Sequence, residues 1–359
     1  MNKCKEKEAE VRKKLQERKI PDPLMVNGER ITDQEEWERR RPEIRKMLCQ
    51  EMYGYMPFRQ WETKGEVVKT VENGYGGKAR IDTIELKIST KKDVAVFLFE
   101  LAVPKDKSVS PAFIHITGFP CDGMSEELID NGYACASVYY QDIMPDRPEA
   151  VIEGVGRIIE VLPQIGWGKV SMWAFGISRI MDYLETRKDI DHARVAIAGH
   201  SRLGKATLLC GALDERFSLT ISAGSGAGGA ALFRGKVGEQ IENLSKHWFC
   251  GNMQKYAYHP EELPFDQHFL LALIAPNRVY ISSASDDEWA DPESEFLSCA
   301  AASEVYEFLG KEGLCRKYYP ETGEVFQDGY IAYHRRLGTH AMNRQDWHLY
   351  MQYRKRWNV

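Results

Sequence analysis

One serine of the chain lies where an apolar run meets a helix-like run, a position from which a hydroxyl can act as a nucleophile. The apolar run ends at Gly199 and His200, Ser201 follows, and the helix-like run contains Gly204. This order predicts a buried strand, a tight turn with Ser201 at its apex, and helix N–H groups able to stabilise an oxyanion. The second glycine comes one place later than in the usual Gly-x-Ser-x-Gly pattern. An ordinary strand-turn-helix crossover with an N-capping serine has the same pattern.

Two later segments can supply the base and the acid that a serine nucleophile needs. The apolar run 278–285 leads into Asp286 and Asp287, and the run 329–334 leads to His340. The order serine, acid, histidine is that of α/β-hydrolases. The sequence therefore predicts His340 as the base and Asp287 as its orienting acid. Asp286 is the next candidate, because only one of these adjacent carboxylates can orient the ring, and a turn or N-cap role is the alternative for Asp287.

Strand-like and helix-like runs alternate through most of the chain. The runs 111–118, 194–199 and 217–224 are short and apolar, as buried strands are, whereas 171–187 has apolar residues at helical spacing. This alternation predicts an α/β fold with a mainly parallel sheet and helices on both faces.

The chain divides into two predicted parts. Residues 1–60 have mostly helical patterns, and we expect a helical extension packed on the core. Residues 61–359 are expected to form the α/β-hydrolase domain. Within it, residues 225–270 are too long for a simple connection, which indicates a substrate-binding insertion.

Composition excludes several classes of function. The 359 residues are 43% hydrophobic with a net charge of −5 and no basic tail, so neither nucleic acid nor a membrane is expected as a partner. The first nineteen residues are charged and lack the apolar stretch of an export signal, which predicts a cytoplasmic protein unless such a signal was removed. The eight cysteines are scattered without a C-x-x-C pair, so we expect free buried thiols and no metal or other cofactor. The sequence does not indicate an oligomeric state.

Several segments, in order along the chain, resemble the glucuronoyl esterases, carbohydrate esterase family fifteen. The segment GHSRLGKATL is similar to that family's nucleophile turn, and the other matching segments are SGAGGAALFR (225–234), LPFDQH (263–268), ALIAP (272–276), DEWADP (287–292) and the closing GTH…DW (338–347). The resemblance extends over residues 22–350. It implies a three-layer α/β/α sandwich of the α/β-hydrolase type.

The resemblance also implies an activity and a set of site residues. The substrate would be a small-molecule or oligosaccharide ester of 4-O-methylglucuronic acid, cleaved through an acyl-enzyme by a Ser-His-Asp mechanism without a cofactor. The residues that match functional positions of the family are Ser201 (nucleophile), His340 (base), Arg202 (oxyanion), Lys205 and Trp289 (sugar contacts) and Glu239 (a polar sugar-binding residue). A guanidinium next to the nucleophile suits a developing negative charge.

One departure from the family pattern concerns the acid. Fungal members carry the acid as a glutamate just before a Gly-rich segment, which is SGAGGAALFR (225–234) in this chain. At the place of that glutamate this chain has Gly224. Some bacterial relatives carry it after the next strand, which again indicates Asp287, with Asp286 next. Two other functions remain open at this stage: an acetyl xylan esterase-type deacetylase on the same fold, and a carbohydrate-binding protein without turnover.

Overall fold

The computed structural model describes residues 2–56, 61–91, 93–120, 123–158 and 166–359, with side chains from residue 5 onward. The strands in these ranges are β1 (Met25–Val26), β2 (Glu29–Arg30), β3 (Glu62–Asn73), β4 (Ala79–Ser89), β5 (Val94–Pro104), β6 (Ser110–Thr117), β7 (Ala134–Tyr139), β8 (Ile190–His200), β9 (Leu219–Ala223), β10 (Arg278–Ala284), β11 (Val325–Phe326) and β12 (Ile331–Arg336). The helices are α1 (Asn2–Arg18), α2 (Gln34–Leu48), α3 (Gly74–Gly77), α4 (Ser125–Asp130), α5 (Tyr140–Ile143), α6 (Lys169–Leu184), α7 (Arg202–Leu213), α8 (His268–Ile274), α9 (Pro292–Phe308) and α10 (Arg344–Trp357).

Within the described ranges, β3 to β12 form one ten-stranded sheet in the order β11-β12-β10-β9-β8-β6-β7-β5-β4-β3. The strands from β12 to β7 in this order are parallel to their neighbours, whereas β5, β4 and β3 extend the sheet antiparallel at one end and β11 pairs antiparallel at the other. The predicted α/β fold with a mainly parallel centre is confirmed.

The two faces of the sheet pack against different helices. In β8, Val195 and Ile197 belong to the larger core cluster, together with residues of α6 to α9. The alternate residues Ala196 and Ala198 belong to a second cluster, which contains Trp347 of α10. Because successive strand residues point to opposite faces, a strand covered on both faces has an uninterrupted apolar run. Helices on both sides of the sheet complete the three predicted layers.

The parallel register brings the segments that follow several strands to one edge of the sheet. His200 of β8 is level with Ala223 of β9, and Ala223 is level with Ser282 of β10. Ala284 of β10 is in turn level with Arg336 of β12. The segments after β8, β10 and β12 therefore leave the sheet from the same edge, where ligands bind in open α/β sheets.

Two predicted regions lie outside this sheet. In the predicted helical extension, residues 1–60, α2 begins after Asp33, whose side chain accepts a hydrogen bond from the Glu36 N–H (2.8 Å). Trp37 of α2 is fully buried in the main core. In the second, residues 241–262 form short 3₁₀ turns at Ile241–Asn243, Lys246–Trp248, Gly251–Tyr256 and Pro260–Glu262. The domain boundaries themselves stay a prediction, and residues 57–60 lie outside the described ranges.

Cys49, Cys210, Cys250 and Cys299 are buried free thiols, as predicted, and Cys315 is a half-buried one. The side chains of Cys4 and Cys121 lie outside the described part of the chain. In that part, no helix combines the length and the apolar character needed to cross a bilayer.

Candidate active site

Ser201 occupies a strained turn between β8 and α7. Its φ and ψ are 58° and −126°, a backbone conformation that residues other than glycine seldom adopt. The glycines on either side are required by close packing: a Cβ on Gly199 would lie 2.5 Å from the Leu203 carbonyl oxygen, and one on Gly204 would lie 2.7 Å from Ser222 Oγ. This packing holds the serine at the N-terminus of α7, where free N–H groups favour negative charge.

His340 links Ser201 to Asp287. The Nε2 atom of His340 lies 2.9 Å from Ser201 Oγ, and its Nδ1 lies 2.6 Å from Asp287 Oδ2. A carboxylate can only accept, so Nδ1 carries the proton and Nε2 is left as an acceptor for the serine hydroxyl. The hydrogen bond to Asp287 raises the pKa of His340 above its ordinary value, although burial opposes this.

The two neighbouring carboxylates that sequence analysis considered occupy different environments. The Asp287 side chain is only 3% exposed, and its Oδ1 accepts a hydrogen bond from the Ala290 N–H (3.3 Å). Asp286 is exposed, and its Oδ1 accepts a hydrogen bond from the Ser285 hydroxyl. Within the described residues, Asp287 is the carboxylate that reaches the His340 ring.

A second histidine packs against His340. The ring of His200 lies 4.5 Å from that of His340, centroid to centroid, at an angle of 46°. Burial, aided by the nearby His340 ring, lowers the pKa of His200 to about 4. His200 therefore stays neutral at the pH at which His340 titrates, and it adds no charge beside the base.

Arg202, the first residue of α7, is held at the side of the site. Its guanidinium donates from Nη1 to Asp146 Oδ2 over 2.6 Å and lies over the indole of Trp248, 4.7 Å from the ring centroid. Its side chain is 40% exposed, and Arg202 directly follows Ser201 in the chain.

The predicted sugar contacts Lys205 and Glu239 meet each other below the surface. Lys205 is 2% exposed, and its Nζ donates to Ser225 O (2.8 Å), Ala227 O (2.5 Å) and Glu239 Oε2 (2.9 Å). An ammonium group has three N–H donors, so the protein itself occupies all of them. Lys205 thus anchors the Gly-rich segment, and a substrate hydroxyl could hydrogen-bond to it only by displacing one of these acceptors.

Trp289 lies at the surface of the same region. It is 53% exposed, and its carbonyl oxygen accepts a hydrogen bond from the Glu239 N–H (2.9 Å). Gly238 allows this close approach, because a Cβ there would lie 2.5 Å from that same oxygen. The indole is therefore available to a ligand while its backbone is tied to the Glu239 segment.

A buried acid that sequence analysis missed supports the Gly-rich segment from below. Glu295 of α9 is fully buried, with Oε1 accepting from the Gly226 N–H (3.0 Å) and Oε2 from the Ser283 hydroxyl (2.6 Å). Burial raises the pKa of Glu295 to about 7. The sequence of α9 also contains Glu293, Glu304 and Glu307, and no pattern in it distinguished Glu295 from them. For Asp146, which lies in an irregular segment, and Trp248, which ends a short 3₁₀ turn, the sequence offered no signal.

The assembled groups fit acyl transfer from an ester. They comprise a hydroxyl, a base with an orienting acid, and positive charge at a helix N-terminus. Among the described residues, no cluster of three or more His, Cys, Asp or Glu side chains could hold a metal ion.

Comparison with known proteins gives concordant matches. Residues 86–310 match the family model described as "Glucuronyl esterase, fungi". Carbohydrate esterase MZ0003, from an unknown prokaryotic organism, is 37% identical over 93% of this chain and 88% of its own. The 4-O-methyl-glucuronoyl methylesterase 1 of Wolfiporia cocos is 28% identical over 81% of this chain and 72% of its own. A solved structure of the glucuronoyl esterase from Solibacter usitatus superposes with a TM-score of 0.85 at 34% identity, covering 94% of this chain and 99% of that one.

Proposed function

The chain belongs to the glucuronoyl esterases of carbohydrate esterase family fifteen, and on that basis we propose that Ser201, His340 and Asp287 hydrolyse esters of 4-O-methylglucuronic acid. The protein is a carboxylic ester hydrolase. The relatives named 4-O-methyl-glucuronoyl methylesterases support 4-O-methylglucuronate as the acyl group of the substrate. The observation that carries the assignment of residues is the continuous chain of hydrogen bonds from Asp287 through His340 to Ser201.

The reaction proceeds in two steps of acyl transfer. His340 Nε2 takes the Ser201 proton while Oγ attacks the ester carbonyl, and the resulting imidazolium is stabilised by Asp287. The imidazolium then protonates the departing alcohol, which leaves the uronoyl group on Ser201. Water then attacks the acyl-enzyme while His340 takes one of its protons. The bond to Ser201 Oγ breaks, the imidazolium returns the proton to Oγ, and glucuronate is released.

The tetrahedral intermediate of each step carries a negative charge on oxygen. The helix α7 begins directly after Ser201, and its first residue, Arg202, contributes a guanidinium. One preorganised donor of this kind contributes about 3 kcal/mol to transition-state stabilisation. We assign oxyanion stabilisation to these groups and sugar recognition to Trp289, with Lys205 and Glu239 shaping that part of the pocket.

A substitution of the nucleophile tests this assignment. Ser201→Ala is expected to abolish hydrolysis of benzyl glucuronate and labelling by a fluorophosphonate, because both reactions need Oγ. Ser108→Ala is the matched control, because Ser108 is exposed and precedes β6 at the opposite edge of the sheet, and this variant should react like the wild type. A folded Ser201→Ala protein with wild-type turnover would refute the assignment.

The choice of substrate tests the acyl group. We expect kcat/KM to be far higher for benzyl and methyl glucuronate than for 4-nitrophenyl acetate when each rate is divided by that of the uncatalysed reaction. A preference for acetate would instead make the protein a deacetylase.

A further inference from the structure

The Asp146 carboxylate lies in the segment after α5 and accepts three hydrogen bonds from two other parts of the chain. Its Oδ2 accepts from Arg202 Nη1 (2.6 Å). Its Oδ1 accepts from Trp248 Nε1 (2.7 Å) and lies 2.8 Å from His247 Nε2. The side chain is only 7% exposed. A carboxylate this well covered is retained only when donors surround it.

Trp248 completes a two-sided support for the guanidinium. Its indole N–H is bonded to Asp146, while its ring lies against Arg202, with 4.7 Å between the ring centroid and Cζ. The tryptophan is itself fixed by the backbone at Gly168, where a Cβ would lie 2.4 Å from the Trp248 carbonyl oxygen. Arg202 is therefore paired at one edge and stacked on one face.

The remaining nitrogens of Arg202 are left for another partner. In the part of the chain that the structure describes, Nη1 has a hydrogen-bond partner, whereas Nε and Nη2 have none. A rigid guanidinium with one edge paired and the others open is suited to an oxyanion that forms at Ser201. Free rotation of the arginine side chain would otherwise have to be stopped during each turnover.

We propose that Asp146 is a positioning residue that, together with Trp248, fixes the guanidinium of Arg202 for the tetrahedral intermediate. The inference rests on the proposed function of Arg202 as an oxyanion donor. Burial alone would raise the pKa of Asp146, but the hydrogen bonds from Trp248, His247 and Arg202 outweigh it and hold the pKa below its ordinary value. The carboxylate is consequently charged, and able to pair with Arg202, wherever His340 is neutral enough to act as a base.

The first test is Asp146→Asn. If the amide oxygen of the asparagine keeps the hydrogen bond from Trp248 Nε1, its amide nitrogen faces Arg202 Nη1, and both groups are donors. The guanidinium of Arg202 then loses the hydrogen bond that fixes it. Because full removal of one oxyanion donor costs 10²–10³ in kcat, we expect loss of its fixation to lower kcat roughly 10- to 100-fold. KM should change little, because the interaction strengthens only in the transition state. Asp142→Asn removes the same charge four residues earlier and should leave kcat unchanged.

A double-mutant cycle separates positioning from general structural support. If Asp146 acts through Arg202, then Asp146→Asn should reduce kcat no further in an Arg202→Ala background. If Asp146 merely stabilises the fold, the two losses should multiply. Asp146→Glu keeps the charge and should recover part of the activity.

The experiments distinguish a folding defect and a failure of the proposed function from a failure of the positioning role. Should Asp146→Asn not fold, Trp248→Phe removes the hydrogen bond to Asp146 but keeps a ring over Arg202, and its kcat loss should likewise vanish in the Arg202→Ala background. The positioning role is overturned if the wild type is active and Asp146→Asn is equally active. It is also overturned if the kcat losses of the two single variants multiply in either double-mutant cycle. A wild type that does not hydrolyse benzyl glucuronate refutes the proposed function instead.

Discussion

Replacing Asp287 by asparagine would remove the charge beside His340 while preserving the shape of the side chain. The carboxylate is buried, with Oδ1 bound to the Ala290 N–H and Oδ2 bound to His340 Nδ1. If the asparagine oxygen keeps the bond to Ala290, its Nδ2 must face Nδ1 and donate to it. The ring then carries its proton on Nε2, which can no longer accept the proton of Ser201.

The size of the effect follows from this change of tautomer. In the Ser-His-Asp template, the same substitution with intact geometry lowers kcat by about 10⁴, which corresponds to about 5 kcal/mol in the activation free energy at 1.36 kcal/mol for each factor of ten. We expect Asp287→Asn to approach this loss, because the 2.6 Å hydrogen bond between Asp287 and His340 Nδ1 fixes the tautomer of the base.

The assay compares two adjacent variants on benzyl glucuronate. Asp286→Asn is the matched control, because it removes the same charge from the neighbouring exposed residue, and its kcat should stay near that of the wild type. A large loss in Asp286→Asn together with a small one in Asp287→Asn would show that the acid is assigned to the wrong residue.

The pH profile gives an independent reading of the same variant. Asp287 raises the pKa of His340, and the neutral base is lost as the pH falls through that raised pKa. Without the carboxylate the pKa of His340 falls, so the acid limb of kcat/KM should move to lower pH in Asp287→Asn. An unshifted acid limb would mean that Asp287 does not set the titration of the base.

Two further variants test the buried groups around the Gly-rich segment. Lys205→Met removes the cation that pairs with the Glu239 carboxylate, so the free energy of unfolding in denaturant should fall by about 3–5 kcal/mol. The kcat/KM of this variant should fall further for benzyl glucuronate than for 4-nitrophenyl acetate. Equal losses on both esters would argue against a role in sugar recognition. Glu295 has a raised pKa of about 7, so its contribution to stability is complete below its ordinary pKa near 4.5 and is lost as the pH rises through about 7. Glu295→Gln lacks this titration and should gain stability relative to the wild type between pH 5 and pH 8, whereas parallel pH dependences of the unfolding free energy would contradict the raised pKa.

The central sheet and the order of the triad segments could be predicted from the sequence for one physical reason. Strands covered on both faces are short continuous apolar runs, and the carboxyl ends of parallel strands share one edge of the sheet. Ser201, Asp287 and His340 each follow such a run, so their proximity could be expected before any contact was known. The strand β3 could not be delimited in this way, because most of its residues are exposed and its apolar residues do not alternate with polar ones.

The partners of Arg202 and Lys205 were beyond the reach of the sequence. Asp146 is 56 positions from Arg202 and lies in an irregular segment, where no periodicity indicates which way a side chain points. The family resemblance implied that Lys205 contacts the sugar, and this role stays a prediction. In the structure, acceptors from the protein surround its ammonium group. The cytoplasmic location stays a prediction.

The position of the acid is explained by the geometry of two neighbouring strands. Gly224 follows β9, and Asp287 follows β10, the next strand in the sheet. A Cβ on Gly224 would lie 3.2 Å from Asp287 Oδ2 and 3.5 Å from His340 Nδ1, so side chains from either position converge on the same ring nitrogen. The φ of +50° at Gly224 also suits glycine better than a residue with a side chain. A carboxylate after β10 can therefore replace one after β9 without moving the base, provided that the vacated position is small enough to leave it room.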